Sequence, residues 1–299
     1  MEKKKAIHAW IEAARPKTLA ASISPVMVGA ALAVHDEVFQ WTPVMLCFLV
    51  ALFAQIASNL ANDYFDFKKG ADRDDRLGPE RAVASGWITP RAMLIATLLM
   101  LGAACLFGLI LVWMTRWELI LVGVAIAIAV LAYSAGPFPL AYNGLGDVCV
   151  LLFYGIIPVT LTYYVQALTI TTPAWLLSLA LGFLSINILI VNNYRDYEQD
   201  KASKKKTTIV LFGRKFGRVA YLANGFLAIL FAAPVLMGKP WWSWLLILFF
   251  IILFDIAWLD LRRLEGKMLN KTLAATSRNV LLFAVIISYI LLRDSYLYQ

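Results

Sequence analysis

Residues 40–62 read QWTPVMLCFLVALFAQIASNLAN, an apolar run without a single charged side chain. As a helix rising 1.5 Å per residue it is about 35 Å long, enough to cross a hydrocarbon core ~30 Å thick. Polarity then returns abruptly in Asn62-Asp63-Tyr64-Phe65-Asp66. Outward from this run the same pattern recurs, at 18–36 upstream and at 91–114, 118–135, 144–167, 172–193, 216–237, 240–260 and 272–292 downstream. Only helices or closed barrels satisfy their backbone in lipid. The expected fold is therefore all-α, a polytopic membrane bundle of about nine transmembrane helices. The runs leave no room for a separate soluble unit, so one domain over 1–299 is expected.

Composition agrees. Hydrophobic residues make up 61% of the 299, and the mean hydropathy is +0.74. A soluble domain is nearer half apolar, so the excess has to face lipid. The net charge of +8 would ordinarily raise the question of nucleic acid. With the N-terminus inside, however, 24 of the 27 basic residues fall on the inner side, leaving Arg116, Lys239 and Arg293 outside. That positive-inside bias accounts for the charge and orients the chain, and no nucleic-acid partner is expected. The basic start, Met1 to Lys5, is followed by no short apolar stretch with a cleavage site, so no cleavable leader is expected. His8 to Glu12 reads instead as a short interfacial helix before the first span. Cys47, Cys105 and Cys149 lie inside separate spans, which suits apolar packing and neither a metal site nor a disulfide framework.

Acids are the anomaly on a side that needs only basic loops. One cluster, Asp63, Asp66, Asp72, Asp74, Asp75 and Glu80, follows the second span, and another, Asp196, Glu198 and Asp200, follows the sixth. The two resemble each other: Asn62-Asp63-Tyr64-Phe65-Asp66 matches Asn192-Asn193-Tyr194-Arg195-Asp196 in Asn, Tyr and Asp at the same offsets. This is a weak parallel repeat. Residues four apart share a helical face, so Asn62 and Asp66 point one way, and Asn192, Asp196 and Asp200 form one stripe. A lone aspartate at a helix end is commonly a cap or a counter-charge. Two matched motifs on one membrane side are harder to dismiss, because ionised groups near lipid are unfavourable without partners. Oxygen ligands without His or Cys suit Mg²⁺ or Ca²⁺ rather than zinc, and the two histidines, His8 and His35, sit elsewhere. Mg²⁺ usually binds through one or two carboxylates plus substrate phosphates. With Arg15, Lys17, Lys68, Arg81, Lys204 and Lys206 as candidate phosphate contacts, the motifs form a diphosphate cradle.

The residues also resemble a known family. Asn59 to Asp66, with Gly70, Asp72, Asp75-Arg76 and Gly78-Pro79 after it, is similar to the first Asp-rich motif of UbiA-type intramembrane prenyltransferases. Asn192 to Asp200, followed by Lys206-Thr207 and Phe212-Gly213, resembles their second. Ala14 to Leu19 with Pro25, and Tyr133 to Pro137 with Gly144 to Asp147, narrow the likeness to the 1,4-dihydroxy-2-naphthoate polyprenyltransferases of menaquinone synthesis. The likeness covers about residues 10 to 292. It departs from the wider pattern at Gly70, which leaves Asp72 to serve, and at Pro137, where relatives carry a lysine four residues after the tyrosine.

The resemblance implies a central cavity and transfer of a polyprenyl chain from its diphosphate to an aromatic acid, with loss of CO₂ and diphosphate. On two-metal logic, Asn62 and Asp66 would hold one Mg²⁺, and Asp196 and Asp200 the other. Tyr133 is the candidate to face an allylic cation, while Asp147 and Asp255 are candidates to orient the acceptor or act as a base. The lipid bilayer is the setting, and a bacterial inner membrane with the site toward the cytoplasm the expected place. Other UbiA-type acceptors (4-hydroxybenzoate, homogentisate, chlorophyllide, haem) are alternatives. A secondary transporter is a rival of another class, but its coupling site would lie near the midplane, whereas these motifs lie at the membrane edge.

Overall fold

The computed structural model describes residues 2–70 and 76–297, with side chains placed for 7–16, 18–70 and 76–294. Asp72, Asp74 and Asp75 lie outside the described residues, as does the side chain of Lys17. Among the described residues there are helices and no strand. Eight helices are long and apolar enough to cross a membrane, and a ninth apolar helix is shorter.

Helix α1 (Glu2–Ala14) and helix α2 (Pro16–His35) meet at Arg15, whose φ of 54° is left-handed. A residue before proline is disfavoured in the right-handed helical region, and Pro16 then starts α2 where a missing N–H does no harm. Thr18 holds the elbow, its N–H and hydroxyl each donating to the Arg15 carbonyl at 2.9 Å.

Helix α3 (Trp41–Lys68) does not stop at residue 62 but runs on through Asp66. The first motif therefore lies on its last turns. Helix α4 (Pro90–Met114) returns antiparallel, since Leu60 and Met93 share one buried cluster, and Leu46, Cys47 and Leu111 another. Helix α5 (Leu119–Ala132) has 14 residues, about 21 Å of helix. Its expected continuation to 135 is cut short because Gly136 (φ 85°), Pro137 and Pro139 cannot extend a helix. A 3-10 turn follows at Leu140–Tyr142.

The next span is α6 (Gly146–Leu151), a π-turn (Leu152–Ile156) and α7 (Ile157–Ala167). Pro158 supplies no N–H to the ladder, and such π-bulges often mark functional sites. Gly155 here stands against Gly182 of α8 (Thr172–Arg195); a Cβ at 155 would lie 2.4 Å from the Gly182 Cα. At Asp196 (φ −91°, ψ 15°) the chain bends into α9 (Tyr197–Ala202), with i to i−4 bonds from the N–H groups of Asp196 and Asp200 continuing across the joint. The second motif is thus one stripe with a bend in it. Helices α10 (Thr208–Leu236, interrupted at Gly213), α11 (Trp241–Arg263) and α12 (Leu269–Leu297) complete the bundle.

The largest buried cluster draws on α2, α7, α8 and α10 to α12. Two buried asparagines beside it are paired, as burial away from water favours. Asn187 donates to the Tyr221 carbonyl at 3.0 Å, and Asn224 to Asn187 Oδ1 at 3.0 Å. The outer surface carries exposed Leu98, Leu99, Leu106, Phe226, Leu248 and Phe249, which suits contact with lipid tails. Exposed Trp41, Trp113, Trp117, Trp175 and Trp241 mark the end opposite the Asp motifs, where an aromatic belt would sit.

Candidate active site

A cavity of about 600 Å³ runs from the two motifs into the bundle. Its polar end is lined by Asn62, Asp66, Asn192, Asp196 and Asp200, together with Arg15, Arg76, Arg81 and Lys205. Its other end is apolar, walled by α4 and α5 residues such as Leu109, Val112, Ile120 and Val124. Residues 66 and 196, 130 positions apart in the chain, line one space because α3 and α8 both deliver their last turns to the same end of the bundle.

Within the first motif the two aspartates differ. Asp63 is 2% exposed and accepts from the backbone N–H groups of Ala82 (3.0 Å) and Val83 (3.2 Å). It is spent on pinning the loop after α3. Asp66 faces the cavity, its Oδ2 accepting from Arg81 at 3.1 Å and its Oδ1 from the Tyr142 hydroxyl at 2.7 Å. In the second motif Arg195, 1% exposed, donates to both Asp196 oxygens (2.7 and 2.6 Å), to Asn192 Oδ1 (2.8 Å) and to Asn270 Oδ1 of α12 (2.7 Å). Each motif thus sets an arginine against its central aspartate.

Asp200 is the carboxylate left open. Its Oδ2 is buried with no hydrogen-bond partner among the described residues, while Lys205 stands 3.8 Å from Oδ1. Burial pushes its carboxyl up from the ordinary value to about 6; Lys205 pulls it down, and Asp196 and Asp66 push it up. An acid that burial and like charges both hold back from ionising fits a site awaiting a cation. The donor set of carboxylates and amide oxygens fits Mg²⁺. Among the described residues no three His, Cys, Asp or Glu are already gathered as a cage, so substrate oxygens would complete any coordination sphere.

Of the remaining residues expected from the sequence, Arg15, Arg81, Tyr133 and Asp147 line the cavity. Lys68, Lys204 and Lys206 do not line it and are exposed. The lysine that does is Lys205, because the Lys204–Lys206 turn, with Lys204 at φ 59°, points alternate side chains apart. Asp255 is exposed on α11, away from the cavity wall, and Glu198 makes only a surface pair with Arg214 at 3.8 Å.

Sequence reasoning missed several polar residues. The Tyr154 hydroxyl, turned inward by the π-turn, donates to Gln55, whose amide donates to Asn59 at 3.3 Å; Asn59 donates to the Ala14 carbonyl at 2.9 Å. This line forms one polar wall beside Arg15. Arg195 had a visible signal: where the first motif has Asp63 and Phe65, the second has Asn193 and Arg195, an acid lost and a base gained. Tyr142 and Lys205 had none.

Residues 22–287 match the UbiA prenyltransferase family. The chain is 35% identical over 284 residues to a 1,4-dihydroxy-2-naphthoate octaprenyltransferase of Escherichia coli, covering 92% of each. It is 34% identical over 241 residues to the protein of that name in Bacillus subtilis, covering 79% of this chain and 76% of that one. A UbiA homologue from Archaeoglobus fulgidus bound to DMAPP and Mg²⁺ superposes with a TM-score of 0.69 over 95% of this chain and 99% of that one. At 18% identity that likeness speaks for the fold.

Proposed function

The chain belongs to the UbiA prenyltransferase family, and on that premise we propose that it joins a polyprenyl chain to 1,4-dihydroxy-2-naphthoate. The reading rests above all on one observation: both motifs open onto a cavity that continues into an apolar tunnel. A polyprenyl diphosphate has that same polarity, an anionic head on a hydrocarbon tail. The tail would lie along α4 and α5, where apolar walls exclude water. The head would meet Arg15, Arg76, Arg81 and Lys205.

Mg²⁺ held by Asn62, Asp66, Asp196 and Asp200 would supply charge to neutralise the departing diphosphate. Asp72 of the first motif is proposed as a further ligand from the sequence alone. The allylic C–O bond breaks with its electron pair leaving on the diphosphate. Tyr133 on the wall offers a π face and no strong nucleophile to the resulting cation. The acceptor carbon bearing the carboxylate then bonds to the cation, and CO₂ leaves with its former bonding pair restoring the ring. Asp147, whose Oδ1 is buried without a hydrogen-bond partner among the described residues, would orient an acceptor hydroxyl. With the positive-inside charge pattern read as orientation, this site would face the cytoplasm, and the bacterial relatives suit an inner membrane.

The test uses purified protein, labelled polyprenyl diphosphate and naphthoate or 4-hydroxybenzoate acceptors, with mass spectrometry of the product. A decarboxylated prenyl-naphthalenediol made only with Mg²⁺, and lost in Asp66→Asn and Asp196→Asn proteins that still extract as folded monodisperse species, is expected. A product retaining its carboxyl group, or near-normal turnover in either variant at saturating Mg²⁺, overturns the reading.

A further inference from the structure

Tyr142 touches more of the cavity mouth than any role so far uses. It lies in the 3-10 turn that follows α5, outside both motifs. Its hydroxyl donates to Asp66 Oδ1 at 2.7 Å. Its carbonyl accepts from the Lys206 N–H at 2.9 Å, joining its turn to the loop after the second motif. Two ammonium groups face its ring, Lys69 Nζ at 4.6 Å and Lys205 Nζ at 5.3 Å from the centroid. Lys69, at the end of α3, also donates to the Ser134 carbonyl at 2.6 Å, and Lys205 reaches toward Asp200. One side chain therefore meets the first motif through its hydroxyl and a lysine from each motif's loop through its ring.

The chemistry gives this arrangement a purpose. Each carboxylate oxygen has two acceptor directions. Tyr142 occupies one on Oδ1, and Arg81 one on Oδ2, so a direction remains on each oxygen for a cation, with the carboxylate plane fixed. Outer groups that orient a ligating carboxylate commonly strengthen metal binding by ~10–100-fold. The ring acts on different partners. Two like charges held against one aromatic ring are kept near each other until an anion arrives, and burial lowers the Lys69 pKa while Asp66 raises it and Lys205 lowers it.

We propose that Tyr142 is a positioning residue that couples the two motifs. Its hydroxyl sets Asp66 for a divalent cation, and its ring holds Lys69 and Lys205 at the mouth to receive diphosphate oxygens. This rests on reading the site as a cation-dependent diphosphate cradle.

The hydroxyl and the ring separate experimentally. Calorimetry on the full-length purified protein follows binding of inorganic pyrophosphate as Mg²⁺ is varied. In Tyr142→Phe, which keeps the ring, the Mg²⁺ concentration for half-maximal binding rises about three- to tenfold. Its pyrophosphate affinity at saturating Mg²⁺ stays within about twofold. In Tyr142→Leu, affinity at saturating Mg²⁺ also falls about tenfold. Lys205→Gln, which keeps Tyr142 and removes one of the two charges facing its ring, reproduces that second loss of pyrophosphate affinity at saturating Mg²⁺ and serves if the Leu variant does not fold. An unmoved Mg²⁺ midpoint in Tyr142→Phe overturns the proposal, as does wild-type pyrophosphate affinity in Lys205→Gln. Pyrophosphate binding by the wild type without any Mg²⁺ dependence overturns the cradle itself, a different and recognisable result.

Discussion

Replacing Arg195 with lysine keeps a positive charge in the second motif and removes the planar fork that organises it. The guanidinium makes four hydrogen bonds of 2.6 to 2.8 Å to Asp196, Asn192 and Asn270. Asn270 in turn donates to the Leu77 carbonyl at 3.0 Å, and the loop behind it comes close to the guanidinium at Gly78, where a Cβ would lie 2.7 Å from Arg195 Nη2. One buried side chain thus ties α8, α12 and the loop after the first motif. An ammonium on a flexible stem cannot satisfy partners spread around a plane, so lysine keeps a contact to Asp196 or Asn192 and forfeits at least two others. Bonds to a charged group contribute ~1.5–3 kcal/mol each, and disrupting a buried pair costs about 3–5 kcal/mol. A loss of roughly 3–4 kcal/mol follows, or ~6–12 °C in unfolding midpoint for a chain of this size class. Thermal unfolding in detergent without Mg²⁺ reads it directly. The double-mutant cycle of Arg195→Leu with Asp196→Asn should show coupling of ~1–3 kcal/mol, because removing the acid relieves the stranded charge. A midpoint shift under about 2 °C in Arg195→Lys, or strict additivity in the cycle, would refute the cross-link and leave Arg195 a passive topology charge.

Two more outcomes are expected. Gly225 on α10 faces Phe254 of α11 so closely that a Cβ would sit 2.2 Å from the ring; Gly225→Ala should destabilise by ~1–3 kcal/mol, and Phe254→Leu in the same chain should recover part of it, as thermal midpoints will tell. Asp200 has a folded pKa raised to about 6. Its protonated form is therefore favoured by folding, and the stability it contributes in the absence of metal is complete below its unfolded value and lost as pH rises through about 6. A cation reverses the sign by needing the ionised form: stabilisation by added Mg²⁺ should be full at pH 7.5, fade below about 6, and lose that step in Asp200→Asn. A Mg²⁺ effect as large at pH 5 as at pH 7.5 would contradict the assignment.

What the sequence disclosed, and what it withheld, follows from the range of the interactions. A span announces itself because each of its residues meets lipid or core, so the signal accumulates over twenty positions, and all nine apolar runs became helices. The motifs were legible because residues four apart on one helix share a face, so a recurring spacing of Asn and Asp shows in the sequence. The convergence of Asp66 and Asp196 on one cavity could be anticipated from the repeat, since matched helices running the same way end at the same side. Boundaries were less legible. Helix α3 carries its motif inside its last turns because Asp63 and Asp66 find backbone and side-chain partners there, so polarity did not end the helix. Helix α5 stopped early because a glycine and two prolines outweighed the hydrophobicity of the residues before them. Least legible were Tyr142, Tyr154 and Lys205. Their places depend on how three loops and a π-turn close over the cavity, and nothing periodic surrounds them. Arg195 stands between these cases. In α3 the equivalent position is Phe65, and Asp66 draws its arginine from residue 81, fifteen positions on. In α8 the arginine sits next to its aspartate. The two halves reached the same pairing, a guanidinium against each central carboxylate, by different local means. That convergence argues the pairing is a requirement of a carboxylate held near lipid, and that the repeat preserves a charge arrangement more faithfully than it preserves residues.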